Sequence, residues 1–134
     1  MQIRMAEERD LSILCCHDRH IEPGELRESI RRNRVYVAEQ DGTFIGWARY
    51  NLFWDNTPFL NMLYLLPEYR GKGCGRQLLI HWEAQMKQLH YSDLLTSTAS
   101  DEYAQHFYMH LGYHTIGGFL LPDAPYEIIL QKRF

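Results

Sequence analysis

The sequence predicts an α/β fold of the α+β kind: one domain built on a mixed sheet. Three observations predict it. Apolar residues switch repeatedly between every-second and helical spacing, so strands and helices alternate along the chain. The 134 residues, 46% hydrophobic and 13% aromatic, suit a single domain with one core. Residues 59–66 are nearly all apolar, as in a central strand covered on both faces, and they run into a glycine-rich basic turn and a helix.

The elements follow in order. Gln2–Met5 alternates polar and apolar residues and predicts a short strand. Asp10 is placed to cap a helix from Leu11 to about His20 that turns Leu11, Leu14 and Cys15 inward. Pro23-Gly24 marks a turn, and Pro23 suits the first turn of a second helix through Ile30. Its apolar pair, Leu26 and Ile30, lies one turn apart, and the basic cluster at 31–34 suits its C-terminal end. Residues 35–39 and 43–50 read as a hairpin around Asp41-Gly42. Residues 52–58 read as an aromatic, polar connection longer than a tight turn, and such loops often carry function.

Pro67 stops the central strand, and a helix is expected from about Cys74 to Leu89. Leu78, Leu79, Trp82, Met86 and Leu89 make its apolar stripe, with Glu83 and Lys87 paired on the outer face. A strand at 94–98 follows. Ser100 or Asp101 is the expected cap of a short helix over 102–111, which Gly112 ends. Residues 115–121 and 126–130 close the chain as a hairpin. The predicted order is β-α-α-β-β-β-α-β-α-β-β.

The formal charge of −3 gives no whole-molecule attraction to nucleic acid, and basic residues cluster only locally. Cys15, Cys16 and Cys74 are too few and too irregular for a disulfide framework and imply a reducing compartment. The N-terminus lacks an apolar signal core, and no apolar run reaches membrane-spanning length. A cytoplasmic protein with no nucleic-acid or membrane partner is therefore expected.

The chemistry concentrates in Arg70-Gly71-Lys72-Gly73-Cys74-Gly75-Arg76. A Walker loop fails here, because Gly73 follows Lys72 and Leu66 stands where its first glycine belongs. A dinucleotide fingerprint fails too, because Arg76 replaces its third glycine. What remains is a turn whose glycines permit close backbone approach. The following helix offers unpaired amide hydrogens and a positive dipole end. Arg70, Lys72 and Arg76 add charge able to neutralise a diphosphate.

Arg70-x-x-Gly73-x-Gly75 resembles the signature of the GNAT superfamily of acyl-CoA-dependent N-acyltransferases. The strand ending at Pro67-Glu68-Tyr69-Arg70 is similar to that family's strand-to-helix junction. Asp101-x-x-Ala104-x-x-Phe107-Tyr108-x-x-x-Gly112-Tyr113 resembles its second motif, and the order of elements matches over essentially the whole chain. The resemblance implies helices on both faces of the sheet, with the central strand and the strand after the long helix splayed apart. It implies acetyl-CoA as the acyl donor and no metal. The backbone of Tyr64 and Leu65 would meet pantetheine, and Leu66 would be a further cofactor contact. Residues Arg70, Gly71, Lys72, Gly73, Cys74, Gly75 and Arg76 would hold the pyrophosphate, with Asp101 and Tyr108 completing the cofactor contacts.

The implied reaction is direct attack of a primary amine on the thioester in a ternary complex. A small molecule, an amino acid, a peptide or a protein lysine would serve as acceptor. An ammonium of pKa ~10.4 costs roughly 4.6 kcal/mol to deprotonate at pH 7, which calls for a base or a water chain. Tyr108 matches the family's general acid for the departing thiolate. Many members carry Glu where this sequence has Asn61, an amide able to orient a water or the acceptor but not to act as a base. Asp55, His17 and His20 are the alternative bases, and Trp47, Tyr50, Phe53, Trp54 and Tyr64 are candidates to line the acceptor side. The rival readings are a non-catalytic acyl-CoA sensor and a protein-interaction domain on the same fold. The final hairpin offers a sheet edge for a homodimer.

Overall fold

The computed structural model describes all residues, 1–134. Seven strands form one sheet: β1 (Gln2–Met5), β2 (Val35–Gln40), β3 (Thr43–Phe53), β4 (Thr57–Leu65), β5 (Asp93–Ala99), β6 (His114–Phe119) and β7 (Glu127–Arg133). Four helices accompany them: α1 (Leu11–His17), α2 (Pro23–Arg31), α3 (Cys74–Gln88) and α4 (Ala104–His110). The spatial order is β1-β2-β3-β4-β5-β7-β6. Only β4 and β5 run parallel, so the sheet is mixed as predicted.

Two apolar clusters lie on opposite faces. Leu78, Leu79, Trp82 and Met86 of α3 pack with Tyr50, Leu60, Leu65 and Leu94 of the sheet. Leu14 of α1 and Leu26 and Ile30 of α2 cover Val35, Val37 and Trp47 on the other side.

Several local expectations change. Residues 52–58 are not a long connection. β3 continues to Phe53, β4 begins at Thr57, and a three-residue turn joins them, with positive φ at Trp54 (54°) and Asp55 (65°). Asp10 does not cap α1 through its side chain. It accepts the Glu7 amide and both Nη groups of Arg4 instead. The helix after Ser100 begins at Ala104, and neither Ser100 nor Asp101 caps it. The helix that holds the cysteine pair stops at His17 rather than His20.

Glu83 is not on an outer face paired with Lys87. It is buried, and it accepts Tyr113 Oη at 2.7 Å and Lys132 Nζ at 3.0 Å. Leu89 lies beyond the last turn of α3 and is exposed, so the stripe ends at Met86.

Candidate active site

The site is an opening in the sheet. β4 and β5 pair only at Phe59–Leu95 and Leu60–Thr96, a junction that Thr96 Oγ1 reinforces by donating to the Leu60 carbonyl at 3.0 Å. Beyond Leu60 the strands part. The cause is visible in the register with β3: Arg49 pairs with Met62 and Tyr50 with Leu60, so Asn61 is an extra, bulged residue. A bulge bends its strand and increases its twist.

The bulge also decides which main-chain groups face the opening. The Leu66 amide donates to the Ile45 carbonyl at 2.8 Å. Antiparallel alternation then directs the main chain of Tyr64 and Met62 toward β3, and that of Leu63 and Leu65 toward the gap. Of the two residues that the sequence reading named, Leu65 turns its main chain to the gap and Tyr64 turns its main chain to β3, and Leu63 faces the gap beside Leu65. The Leu65 carbonyl accepts Arg70 Nε at 2.8 Å, and the Arg70 guanidinium stacks 4.8 Å from the Tyr64 ring centre.

At one end of the opening, Leu63, Leu65, Arg70, Arg76 and Phe107 line a groove of about 620 Å³ with Gly71, Gly73 and Gly75. None of the amide hydrogens from Gly71 to Arg76 finds an acceptor in the chain. Gly71 and Gly73 have φ of 73° and 83°, and a Cβ at either would meet nothing within 4 Å, so the turn presents bare backbone. A short 3-10 turn (Pro67–Tyr69) delivers the chain to this point, and the αL conformation of Gly73 opens α3. Orphan amides, a helix N-terminus and two arginines fit a diphosphate, and the narrow unpaired edge beyond them fits an amide-bearing arm, so these residues suit coenzyme A. Lys72, Cys74, Leu66 and Asp101 do not line the groove. The Lys72 ammonium sits 5.8 Å from the Tyr69 ring centre, and Cys74 packs against the core.

Leu63 also lines the neighbouring cavity of about 570 Å³, so the two hollows meet there. Tyr108, Asn61, Tyr64 and His20 border this second cavity. Tyr108 is 6% exposed, and burial pushes its phenol up to about 12, with the Thr96 hydroxyl pulling the other way and Glu102 adding to the rise. Asn61 Nδ2 donates to Asn51 Oδ1 at 2.9 Å, leaving its own Oδ1 free. His17 stacks on Phe44 outside the cavity. Asp55 lines a separate hollow with Asn51 and Arg34. Of the five aromatics expected on the acceptor side, only Tyr64 lines this cavity. Trp47 and Tyr50 are core residues, and Phe53 and Trp54 border an apolar hollow with Ile116 and Phe119.

Sequence reading missed four ionisable residues. Arg49 lines the cavity and is buried against Asp18, with Nε on Oδ2 at 2.6 Å and Nη2 on Oδ1 at 3.3 Å. Trp47 Nε1 and the His20 amide donate to the same carboxylate. Glu102 and Glu127 line the cavity as well. A polar residue inside an apolar strand, Arg49 in β3, is the one sequence signal that pointed here.

Comparison with known proteins agrees with this geometry. The PaiA N-acetyltransferase of Thermoplasma acidophilum, solved with coenzyme A, superposes with a TM-score of 0.81 at 20% identity, covering 99% of this chain and 98% of that one. The ribosomal-protein-alanine N-acetyltransferase of Brucella melitensis gives 0.81 at 21% identity, with 100% of each chain covered. The acetyltransferase yncA of Salmonella typhimurium, solved with acetyl-CoA, gives 0.80 at 18% identity over 99% of this chain and 93% of that one. No curated relative matches the sequence. The model of the acetyltransferase (GNAT) family matches residues 3–113. The chain therefore belongs to the GNAT acetyltransferase family and is an acetyl-CoA-dependent N-acetyltransferase.

Proposed function

We propose that this enzyme acetylates a primary amine bound in the cavity around Tyr108, by direct attack with donor and acceptor bound together. The single observation that carries the reading is the junction of two hollows at Leu63: a cationic, amide-lined groove opens into a cavity holding a buried phenol. Acetyl-CoA supplies a thioester, whose acyl carbon takes the amine and whose sulfur leaves as a thiolate.

The roles of the residues follow from their chemistry. The amides from Gly71 to Arg76 hold the pyrophosphate, with Arg70 and Arg76 adding charge. Leu63 and Leu65 offer main-chain groups to the pantetheine amides. The Tyr108 hydroxyl serves the sulfur. With its phenol at about 12, complete proton transfer to a thiolate of pKa ~8.5 is uphill by about 5 kcal/mol, so its first function is to donate a hydrogen bond to the sulfur. Asn61 Oδ1 orients the acceptor or a water. Among the candidate bases, His20 borders the cavity and Asp55 does not, which supports His20.

Acceptors of this enzyme are amines. The Brucella melitensis neighbour is named for a ribosomal-protein alanine, and a peptide or protein amine is one class to test beside small amines and amino acids. The three free cysteines support a reducing, cytoplasmic setting. The outermost strand β6 supports pairing of two copies along that edge.

The test is Tyr108→Phe. No hydrogen bond from another side chain ends on Tyr108 Oη at full strength, so the variant keeps its fold. Turnover is expected to fall ~10²-fold or more while the affinity for acetyl-CoA holds. Unchanged turnover would remove Tyr108 from the chemistry.

A further inference from the structure

The cavity around Tyr108 is lined by polar groups that have no partner in the chain: Thr98 is buried, Glu127 half-buried, and Glu102 and Asn61 exposed. Its charged lining residues are Arg49, Glu102 and Glu127. The Arg49 charge is taken by Asp18 through two hydrogen bonds. The Glu102 and Glu127 carboxylates have no ion pair and no hydrogen bond within the chain. The two belong to one corner of the molecule. Glu127 is the cross-strand partner of Ala99, and the Glu102 amide donates to the Ala99 carbonyl at 3.0 Å.

An independent observation points to a ligand at the same place. Thr98 is 4% exposed, lines this cavity, and its Oγ1 has no partner. A buried hydroxyl left unpaired is costly unless something answers it. The Asn61 Oδ1 is free as well. These four groups are alike in one respect: two carboxylates, an amide oxygen and a hydroxyl oxygen all accept hydrogen bonds. A ligand that matches them donates and carries positive charge. An acceptor bearing a carboxylate would instead meet two negative charges, with the only cation already engaged.

Charge is also divided along the opening. The coenzyme groove holds Arg70 and Arg76, while the acceptor cavity holds the two free glutamates. The Glu102 charge reaches the Tyr108 hydroxyl, which it helps keep protonated. One amine of the ligand therefore has a place beside Tyr108, while the carboxylates remain to hold a second cation.

We infer that the acceptor is a dicationic amine, a diamine or polyamine, whose non-reacting ammonium is bound by Glu102 and Glu127. This rests on the acetyl-transfer reading and adds the acceptor class to it. Two ammoniums on a flexible apolar stem bring a charge for the amine site beside Tyr108 and a second for the two carboxylates, and a monoamine brings only the first.

The test compares 1,4-diaminobutane, n-butylamine and glutamate, each with acetyl-CoA, by thiol release and by calorimetric binding to the protein. Diaminobutane is expected to exceed butylamine in kcat/KM by about tenfold or more, through KM, with glutamate poorest. Glu102→Gln and Glu127→Gln, checked for folding by circular dichroism, are expected to collapse the diamine-to-monoamine ratio toward one. A purely structural role for either residue would lower both amines together and leave the ratio intact. Equal or better use of butylamine or glutamate by the wild type overturns the inference while leaving acetyl transfer standing. Tight glutamate-dependent diamine binding without thiol release, while butylamine is acetylated, overturns the diamine as acceptor; no thiol release with any amine counts against acetyl transfer. Absence of both diamine binding and diamine turnover overturns the inference.

Discussion

Replacing Asp18 by Asn tests whether the cavity wall depends on one buried carboxylate. Asp18 is 3% exposed and Arg49 is 7% exposed, and four donors converge on the Asp18 oxygens: Arg49 Nε and Nη2, Trp47 Nε1 and the His20 amide. Asparagine keeps the shape but has one acceptor atom, and its amide group would face donors. The Arg49 charge would be left buried and uncompensated. Breaking such a pair from one side costs about 3–5 kcal/mol, against a total stability of roughly 5–15 kcal/mol for a domain. The midpoint of thermal unfolding should fall by roughly 10–20 °C. Burial alone pushes the Asp18 carboxyl up, but the Arg49 hydrogen bonds and charge outweigh this and hold it below its ordinary value. Its contribution is therefore fully present above the unfolded value of ~3.9 and is lost as pH falls through the folded value. Urea titrations at pH 7 and below pH 4 measure both effects. Asp18→Asn should be far weaker than wild type at pH 7, and the gap should narrow in acid. The pair Asp18→Leu/Arg49→Met should recover most of the loss, because no charge remains to be desolvated. A single variant within about 1 kcal/mol of wild type at pH 7 would refute the reasoning.

Three further outcomes are expected. In Gly46→Ala the new Cβ would clash with the Tyr64 carbonyl oxygen, so β3 and β4 must shift; denaturant unfolding should show a loss of about 1–3 kcal/mol or more. Glu83→Ala leaves the Tyr113 hydroxyl and Lys132 without their shared acceptor and should cost about 3–5 kcal/mol in the same assay, whereas Lys87→Ala should be near neutral. Because the Tyr108 phenol lies at about 12, it keeps its proton through the working range. A profile of kcat against pH should show no alkaline loss from this group below about pH 11, and any limb between pH 7 and 10 should persist in Tyr108→Phe.

Much of the fold was legible because its signals are local. The stripe from Leu78 to Met86 and the glycines flanking Lys72 and Cys74 announce a helix entered from a glycine-rich turn, and both stand where they were expected. The parting of β4 from β5 came with the family resemblance rather than from spacing. Errors arose where long-range partners outweighed local ones. Glu83 has an i+4 lysine in Lys87, yet β7 brings Lys132 and the end of α4 brings Tyr113. Asp10 has the look of a helix cap, yet Arg4 claims its carboxylate. The 54–56 turn was hidden because Trp54 and Asp55 adopt positive φ, which the sequence does not advertise as glycine would. Tyr64 and Leu65 came with the family resemblance; which main-chain groups face the gap depends on the bulge at Asn61, which side-chain alternation does not reveal. The cavity around Tyr108 was the least legible part. Arg49, Thr98, Glu102 and Glu127 come from three strands and a loop, and only the folded sheet gathers them.

The parting of β4 from β5 has a consequence for solvent exchange. Amide protons in the middle of a seven-strand sheet are ordinarily among the slowest to exchange, because only large-scale opening frees them. Those of Leu63 and Leu65 lie in a central strand yet have no acceptor, so they should exchange with deuterium like loop amides while Tyr64 between them and Met62 before them stay protected. An arm bound in the gap would act as the missing neighbour and slow the two leucines alone. Alternate residues of one strand would thus report, peak by peak, when the enzyme is loaded.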